Sequence, residues 1–388
     1  MNMVKRIMGR PRQDECSPQD NALGLMHLRR LFSELCHPPR HMTQKEQEEK
    51  LYMMLPVFNR LQVFGNAPPS TMTEKFSDLL QFTTQVSRLM VTEIRRRASN
   101  KSTAASRAIV QFLEVNQSEE TSRGWMLLST INLLASSGQK TVDCMTTMSV
   151  PSTLVKCLYL FFDLPHMTEA SEAPTQQPPT QEKTPGQGHP QPELPLADRR
   201  ALLQKVFVQQ ILVKLCTFVS PAEELAQKDD LQLLFSAITS WCPPHNLPWR
   251  RSAGEVLTTI SRHGLSVNVV KYIHKECLAT CVQNMQQSDD LSPLEIVEMF
   301  AGLSCFLKDS SGVSQTLLDD FRMCQGYSFL CDLMLLEQGK EDEPKDALKD
   351  LVNLVTCLCT YGVTELKPAG LTTGAPFLLP GFVLPQPT

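Results

Sequence analysis

The feature that most constrains this chain is a helical hydrophobic period with almost nothing competing against it. Leu25, Leu28, Leu31, Phe32 and Leu35 recur at three- and four-residue spacing, as do Phe76, Leu79, Leu80, Thr83, Val86 and Met90. That spacing lines one face of a helix, whereas a half-buried strand needs strict alternation, and no convincing alternating run appears. The expected fold class is all-α.

The helices repeat. Long apolar stretches end near a glycine at 127–138, 256–264 and 299–312, and 352–362 reads as a fourth copy. The glycines at 138, 264, 312 and 362 are 126, 48 and 50 residues apart, and the first gap is close to three units of about forty residues, the armadillo and HEAT period. After three of them a further apolar helix follows, at 154–158, 277–282 and 329–334. Such units bury their apolar faces only against their neighbours, which serves binding more often than catalysis. The expectation is an armadillo/HEAT-like α-solenoid. Ser220-Pro221-Ala-Glu223, Ser252-Ala-Gly-Glu255 and Ser292-Pro293-Leu-Glu295 read as capping boxes at helix starts.

Prolines divide the chain. Pro174, Pro178, Pro179, Pro185, Pro190, Pro192 and Pro195 alternate with Gln, Thr, Glu and Gly, a composition that buries too little apolar surface to offset its ordering entropy. The expected organisation is a disordered basic terminus (1–20), a helical unit (21–165), a disordered Pro-rich linker (166–196), helical repeats (197–362) and a loose Pro/Gly tail (363–388).

The net charge of −4 is uneven. Residues 1–100 carry 15 Lys and Arg against 10 Asp and Glu, and the remainder carries 22 against 31. A basic excess this small suits an acidic partner or an anionic membrane surface and disfavours nucleic acid. Its candidate contacts are Lys5, Arg6, Arg10 and Arg12 at the terminus and Arg95, Arg96 and Arg97 inside the chain. The second group also reads as cations complementing a helix C-terminus. No apolar run is long enough to span a membrane, and the start lacks a secretory signal. Most of the 13 cysteines sit in apolar helical patterns, among them Cys216, Cys305, Cys357 and Cys359, as packing thiols of a reducing cytoplasm.

Phosphate-binding, dinucleotide, nucleophile-elbow and zincin motifs are missing, so neither enzyme nor cofactor is expected. Cys36-His37 before His41, Cys242-Pro-Pro-His245 and the pair Cys277 and Cys281 touch on metal ligation, but no Cys-x-x-Cys occurs and buried thiols are the favoured reading. Asp229-Asp230, Asp289-Asp290 and Asp319-Asp320 point apart as sequence neighbours and suit capping or solvation. Tyr52-Met-Met-Leu55 and Trp125-Met-Leu-Leu128 follow acidic residues and formally match a strand-adding docking motif, yet both sit in helical periodicity and read as core.

Three long strings carry a resemblance. ALGLMHLRRLFSELCHPPRHMTQKEQEEKLYMMLPVFNR ending at Arg60, TEKFSDLLQFTTQVSRLMVTEIRRRASNKS from Thr73 and SPAEELAQKDDLQLLFSAITSWCPPHNLPWR from Ser220 resemble the N-terminal region of the large WD-repeat and FYVE-domain members of the BEACH family, the group of the autophagy-linked FYVE protein and fly blue cheese. The resemblance implies an N-terminal piece of a much longer scaffold for selective autophagy of protein aggregates. Its partners would be autophagy machinery or cargo adaptors, and its location cytoplasmic, with nuclear-envelope and autophagic membranes. The family's zinc and phosphatidylinositol 3-phosphate sites lie in FYVE modules that have no counterpart in these residues. A peripheral membrane role through the basic terminus is the alternative.

Overall fold

The computed structural model describes residues 40–60, 78–99, 103–113, 119–163, 208–240, 247–287, 292–310, 312–339 and 346–365, together with Met26, Arg30, Ser33 and Glu34. Every element among them is helical and no strand occurs, in agreement with the all-α expectation. The basic terminus with Lys5, Arg6, Arg10 and Arg12, the Pro-rich stretch 166–196 and residues beyond 365 lie outside the described residues. No helix among the described residues is long and apolar enough to cross a membrane. The chain divides into two compact units, Met1–Leu215 and Cys216–Thr388.

The first unit contains α1 (Gln44–Arg60), α2 (Leu79–Ala98), α3 (Thr103–Leu113), α4 (Glu119–Ala135), α5 (Gln139–Thr147) and α6 (Val150–Asp163), followed by the helical segment 208–215. Its packing follows an offset of three: α1 lies on α4, α2 on α5 and α3 on α6. Along α2 the buried residues Leu79, Phe82, Val86, Leu89, Met90 and Ile94 form one apolar stripe. Phe58 of α1 and Phe82 of α2 meet with ring centroids 5.0 Å apart. Buried threonines return their hydroxyls to the preceding turn, as Thr83 does to the Leu79 carbonyl, which satisfies those hydroxyls on burial.

The second unit contains α7 (Val219–Gln227), α8 (Asp230–Thr239), α9 (Leu247–His263), α10 (Val267–Tyr272), a π-helical turn (Ile273–Cys277), α11 (Leu278–Gln286), α12 (Pro293–Asp309), α13 (Ser314–Met323), α14 (Gly326–Gln338) and α15 (Asp346–Glu365). The same offset recurs: α7 packs on α10, α8 on α11, α9 on α12, α11 on α14 and α12 on α15. Three-helix units stacked in this way are the armadillo-type arrangement expected from the repeat. Phe235 of α8 meets Phe306 of α12 edge to face at 4.9 Å, and Phe321 of α13 lies between Phe300 and Tyr327 at 6.2 and 5.2 Å.

The glycines that marked the repeat divide by role. Gly138 and Gly312 adopt positive φ, +117° and +84°, where a side chain is strained. Gly264 sits where a β-carbon would come 3.0 Å from that of Ala222, so it permits close approach to α7. Gly362, in contrast, lies inside α15, which runs on to Glu365.

One of the three expected capping boxes forms. Ser292 accepts from the Glu295 amide, Glu295 accepts from the Ser292 amide, and Pro293 opens α12. Ser252 falls inside α9, which begins five residues earlier beside Pro248, a residue suited to a first turn. At Ser220 the helix already begins at Val219, and Glu223 instead accepts from Ser266, the N-cap of α10, at 2.7 Å. An unanticipated box caps α1, where Thr43 and Glu46 exchange the same pair of bonds.

Candidate functional site

A concavity among the described residues lies between α1 and α2 of the first unit and reaches α3 and α4. It consists of a groove of about 350 Å³ and a cleft of about 860 Å³, which share Gln44 and Glu48. In the groove α1 contributes Gln47 and Leu51, while α2 contributes Gln85, Arg88, Leu89 and Thr92. Leu51 and Leu89 are buried, so the floor is apolar and the walls carry amide, hydroxyl and guanidinium groups.

The cleft is built on charge. Arg96 and Arg97, in the last turn of α2, both pair with Glu93 one turn earlier, and Arg97 also donates to the Glu93 carbonyl at 3.1 Å. The Arg97 guanidinium lies 3.7 Å from the centre of the Phe112 ring on α3. Across the cleft Arg123 of α4 lies 4.8 Å from the ring of Tyr52 on α1 and donates to Glu49 at 3.1 Å and 3.4 Å. Burial, and then the Glu93 carboxylate, push the Tyr52 hydroxyl well above the usual tyrosine range, so it remains a neutral phenol.

Of the three candidate arginines inside the chain, Arg96 and Arg97 line this cleft and Arg95 is exposed beside it. Their expected place at a helix C-terminus is correct, and Glu93 is the partner that the charge count alone did not supply. Its signal was present in the i, i+3 and i, i+4 spacing from Glu93 to Arg96 and Arg97. Tyr52 and Arg123 are 71 positions apart, and only folding brings them together. Tyr52 is half-buried in the cleft, whereas Leu55 and Leu128 are core as expected.

The cysteines follow the packing reading in part. Cys157, Cys216 and Cys281 are buried, and burial pushes each thiol up to about 12. Cys277 is also buried and shifted upward, mainly by burial. Cys305 and Cys357 are instead exposed, as is Cys331. On α12 the buried stripe runs through Met299, Phe300, Leu303, Phe306 and Leu307, and Cys305 falls on the opposite face. Lys308 of α12 donates to the Cys357 sulfur at 2.9 Å.

Two of the paired acids, Asp229 and Asp320, tie neighbouring elements together where capping or solvation was expected. Asp229, in the left-handed region at φ 60°, accepts from the Tyr272 hydroxyl at 2.9 Å, and Asp320 pairs with His274 on the π-helical turn at 2.8 Å. Asp319 pairs with Arg322, while Asp289 and Asp290 lie outside the described residues, as do Cys36, His37, Cys242 and His245. No group of three or more metal-ligating side chains occurs among the described residues.

No family model matches the chain. Among curated proteins it is similar to WD repeat- and FYVE domain-containing protein 4 from Mus musculus, 27% identical over 295 residues, which is 75% of this chain and 8% of that protein. The protein of the same name from Homo sapiens is 25% identical over 331 residues, 84% of this chain and 9% of that protein. The resemblance to WD-repeat and FYVE-domain proteins thus extends along most of the chain, and the chain spans about a tenth of the length of these relatives.

Proposed function

We propose that this chain is a non-enzymatic scaffold segment that binds protein partners and spaces the modules of a large WD-repeat and FYVE-domain type protein serving selective autophagy of aggregates. The observation that carries the reading is the three-helix stacking, which commits the main apolar stripe of most helices to neighbouring helices and leaves mostly polar side chains pointing outward. The relatives' names and the three long strings support the family context, and the autophagic role rests on that resemblance. Protein partners of this kind would be cargo adaptors or autophagy machinery, met in the cytoplasm.

Proximity labelling in cells tests the reading, with the chain compared to a Phe235→Ala, Phe306→Ala form that loses the edge-to-face pair between α8 and α12. A set of labelled proteins that depends on the intact stack, cargo adaptors among them, is expected. Identical sets from both forms overturn the scaffold role, and a stack-dependent set without autophagy proteins overturns the autophagic context alone. Flotation with anionic vesicles that requires residues 1–12 replaces the reading with the peripheral membrane module.

A further inference from the structure

The groove and cleft of the first unit are chemically uneven in a way that specifies a ligand. Five cations line them, Lys45, Arg88, Arg96, Arg97 and Arg123, against the three acids Glu48, Glu49 and Glu93. Arg123 holds Glu49, Arg96 and Arg97 hold Glu93, and Glu48 accepts from the Gln44 amide at 3.1 Å, so the lining keeps two more cations than acids. Arg88 is exposed and has no carboxylate partner among the described residues. The Arg96 side chain is 60% exposed and pairs with Glu93 through one nitrogen, so the rest of its guanidinium fork faces solvent.

The groove beside Arg88 is lined by Gln47 of α1 and Gln85 of α2, above the buried Leu51 and Leu89. A primary amide presents a donor beside an acceptor, the complement of a peptide group. Arg88 and Arg96 are eight residues apart on one helix, so their backbones are separated by roughly 12 Å along its axis. An extended peptide covers roughly 13 Å in four residues, and residues i and i+4 share one face of it.

We infer that this channel receives an extended acidic segment of a partner protein, its main chain on the Gln47 and Gln85 amides and carboxylates at i and i+4 on Arg88 and Arg96. The inference rests on the scaffold reading and names the class of partner. An apolar floor and amide walls favour a peptide over a lipid headgroup layer, which has no main chain to pair with the glutamines.

Fluorescence anisotropy on the full chain tests it, using a labelled Gly-Ser peptide with glutamates at i and i+4. Binding roughly tenfold tighter than for the glutamine counterpart, and weakening as salt rises, is expected. Arg88→Glu should weaken it by roughly tenfold, whereas Arg107→Glu, on the exposed side of α3, should leave it within about twofold. Equal binding of the glutamine peptide, or equal loss with Arg107→Glu, overturns the inference. Equal binding of an i, i+3 peptide overturns the proposed register, and displacement of the peptide by phosphatidylserine vesicles that bind more tightly assigns the surface to lipid instead. If the proximity-labelled set survives Arg88→Glu with Arg96→Gln unchanged, this inference fails while the scaffold reading stands.

Discussion

Gly124 of α4 lies against the carbonyl oxygen of Phe112 on α3 so closely that a β-carbon at position 124 would overlap it. The crossing of α3 and α4 depends on that missing carbon, and Phe112 in turn carries the Arg97 guanidinium of the charged cleft. A residue buried for packing thereby sets the position of a guanidinium that lines the cleft.

Gly124→Ala should force the two helices apart, at a cost of about 1–3 kcal/mol for overpacking. Thermal unfolding followed by circular dichroism measures it, and an unchanged midpoint would show that the crossing tolerates a methyl group. Trp125, the next residue, offers a fluorescence signal of the same displacement in the native state.

Ser292→Ala should destabilise the second unit by about 1 kcal/mol, because it removes the hydroxyl that accepts from the Glu295 amide at the start of α12. Ser292→Asp, which keeps an acceptor there, should retain most of the stability. Urea titrations of the two variants distinguish loss of the cap from loss of side-chain packing.

Thiol labelling should divide the cysteines into two classes. At pH 8 Cys305, Cys331 and Cys357 react with an aromatic disulfide reagent in the native chain, while Cys157, Cys216 and Cys281 react only after unfolding. The buried thiols are inaccessible, burial pushes them up to about 12, and only a thiolate attacks the reagent. Peptide mapping after brief labelling reads the outcome, and rapid modification of Cys216 in the native chain would contradict the packed interior.

Acid should loosen the start of α1 through Glu46. Its carboxyl is held below the usual carboxylate range, first by the Thr43 amide and then by the Thr43 hydroxyl. A depressed folded value means the stabilisation is full above the unfolded carboxylate value and disappears as pH falls through the folded one. Amide exchange in residues 44–50 should therefore accelerate as pH drops below the carboxylate range, after correction for intrinsic rates, and Glu46→Gln should remove that added pH dependence.

Much of the fold was legible because helices write their packing as a period. The stripes through Leu79 to Met90 and the glycines at 138 and 312 announced both the elements and their breaks. Caps were less legible, since Ser220 and Ser252 carry the same local pattern as Ser292 but lie within helices that begin earlier. Cys305 looked buried because its neighbours are apolar, and only the helical phase places it outside. The cleft was legible in part: the arginines at 95–97 stood out by density, whereas Tyr52, Phe112 and Arg123 come from three other helices and have no shared sequence pattern.

The offset-of-three stacking in the second unit also governs how that unit bears load. Helices α9, α12 and α15 touch in sequence, so a pull along their row passes through two junctions in series, and the softer of the two sets the yield point. Two-step extension under single-molecule force, one step for each of the α9–α12 and α12–α15 junctions, is the expected mechanical signature of that arrangement.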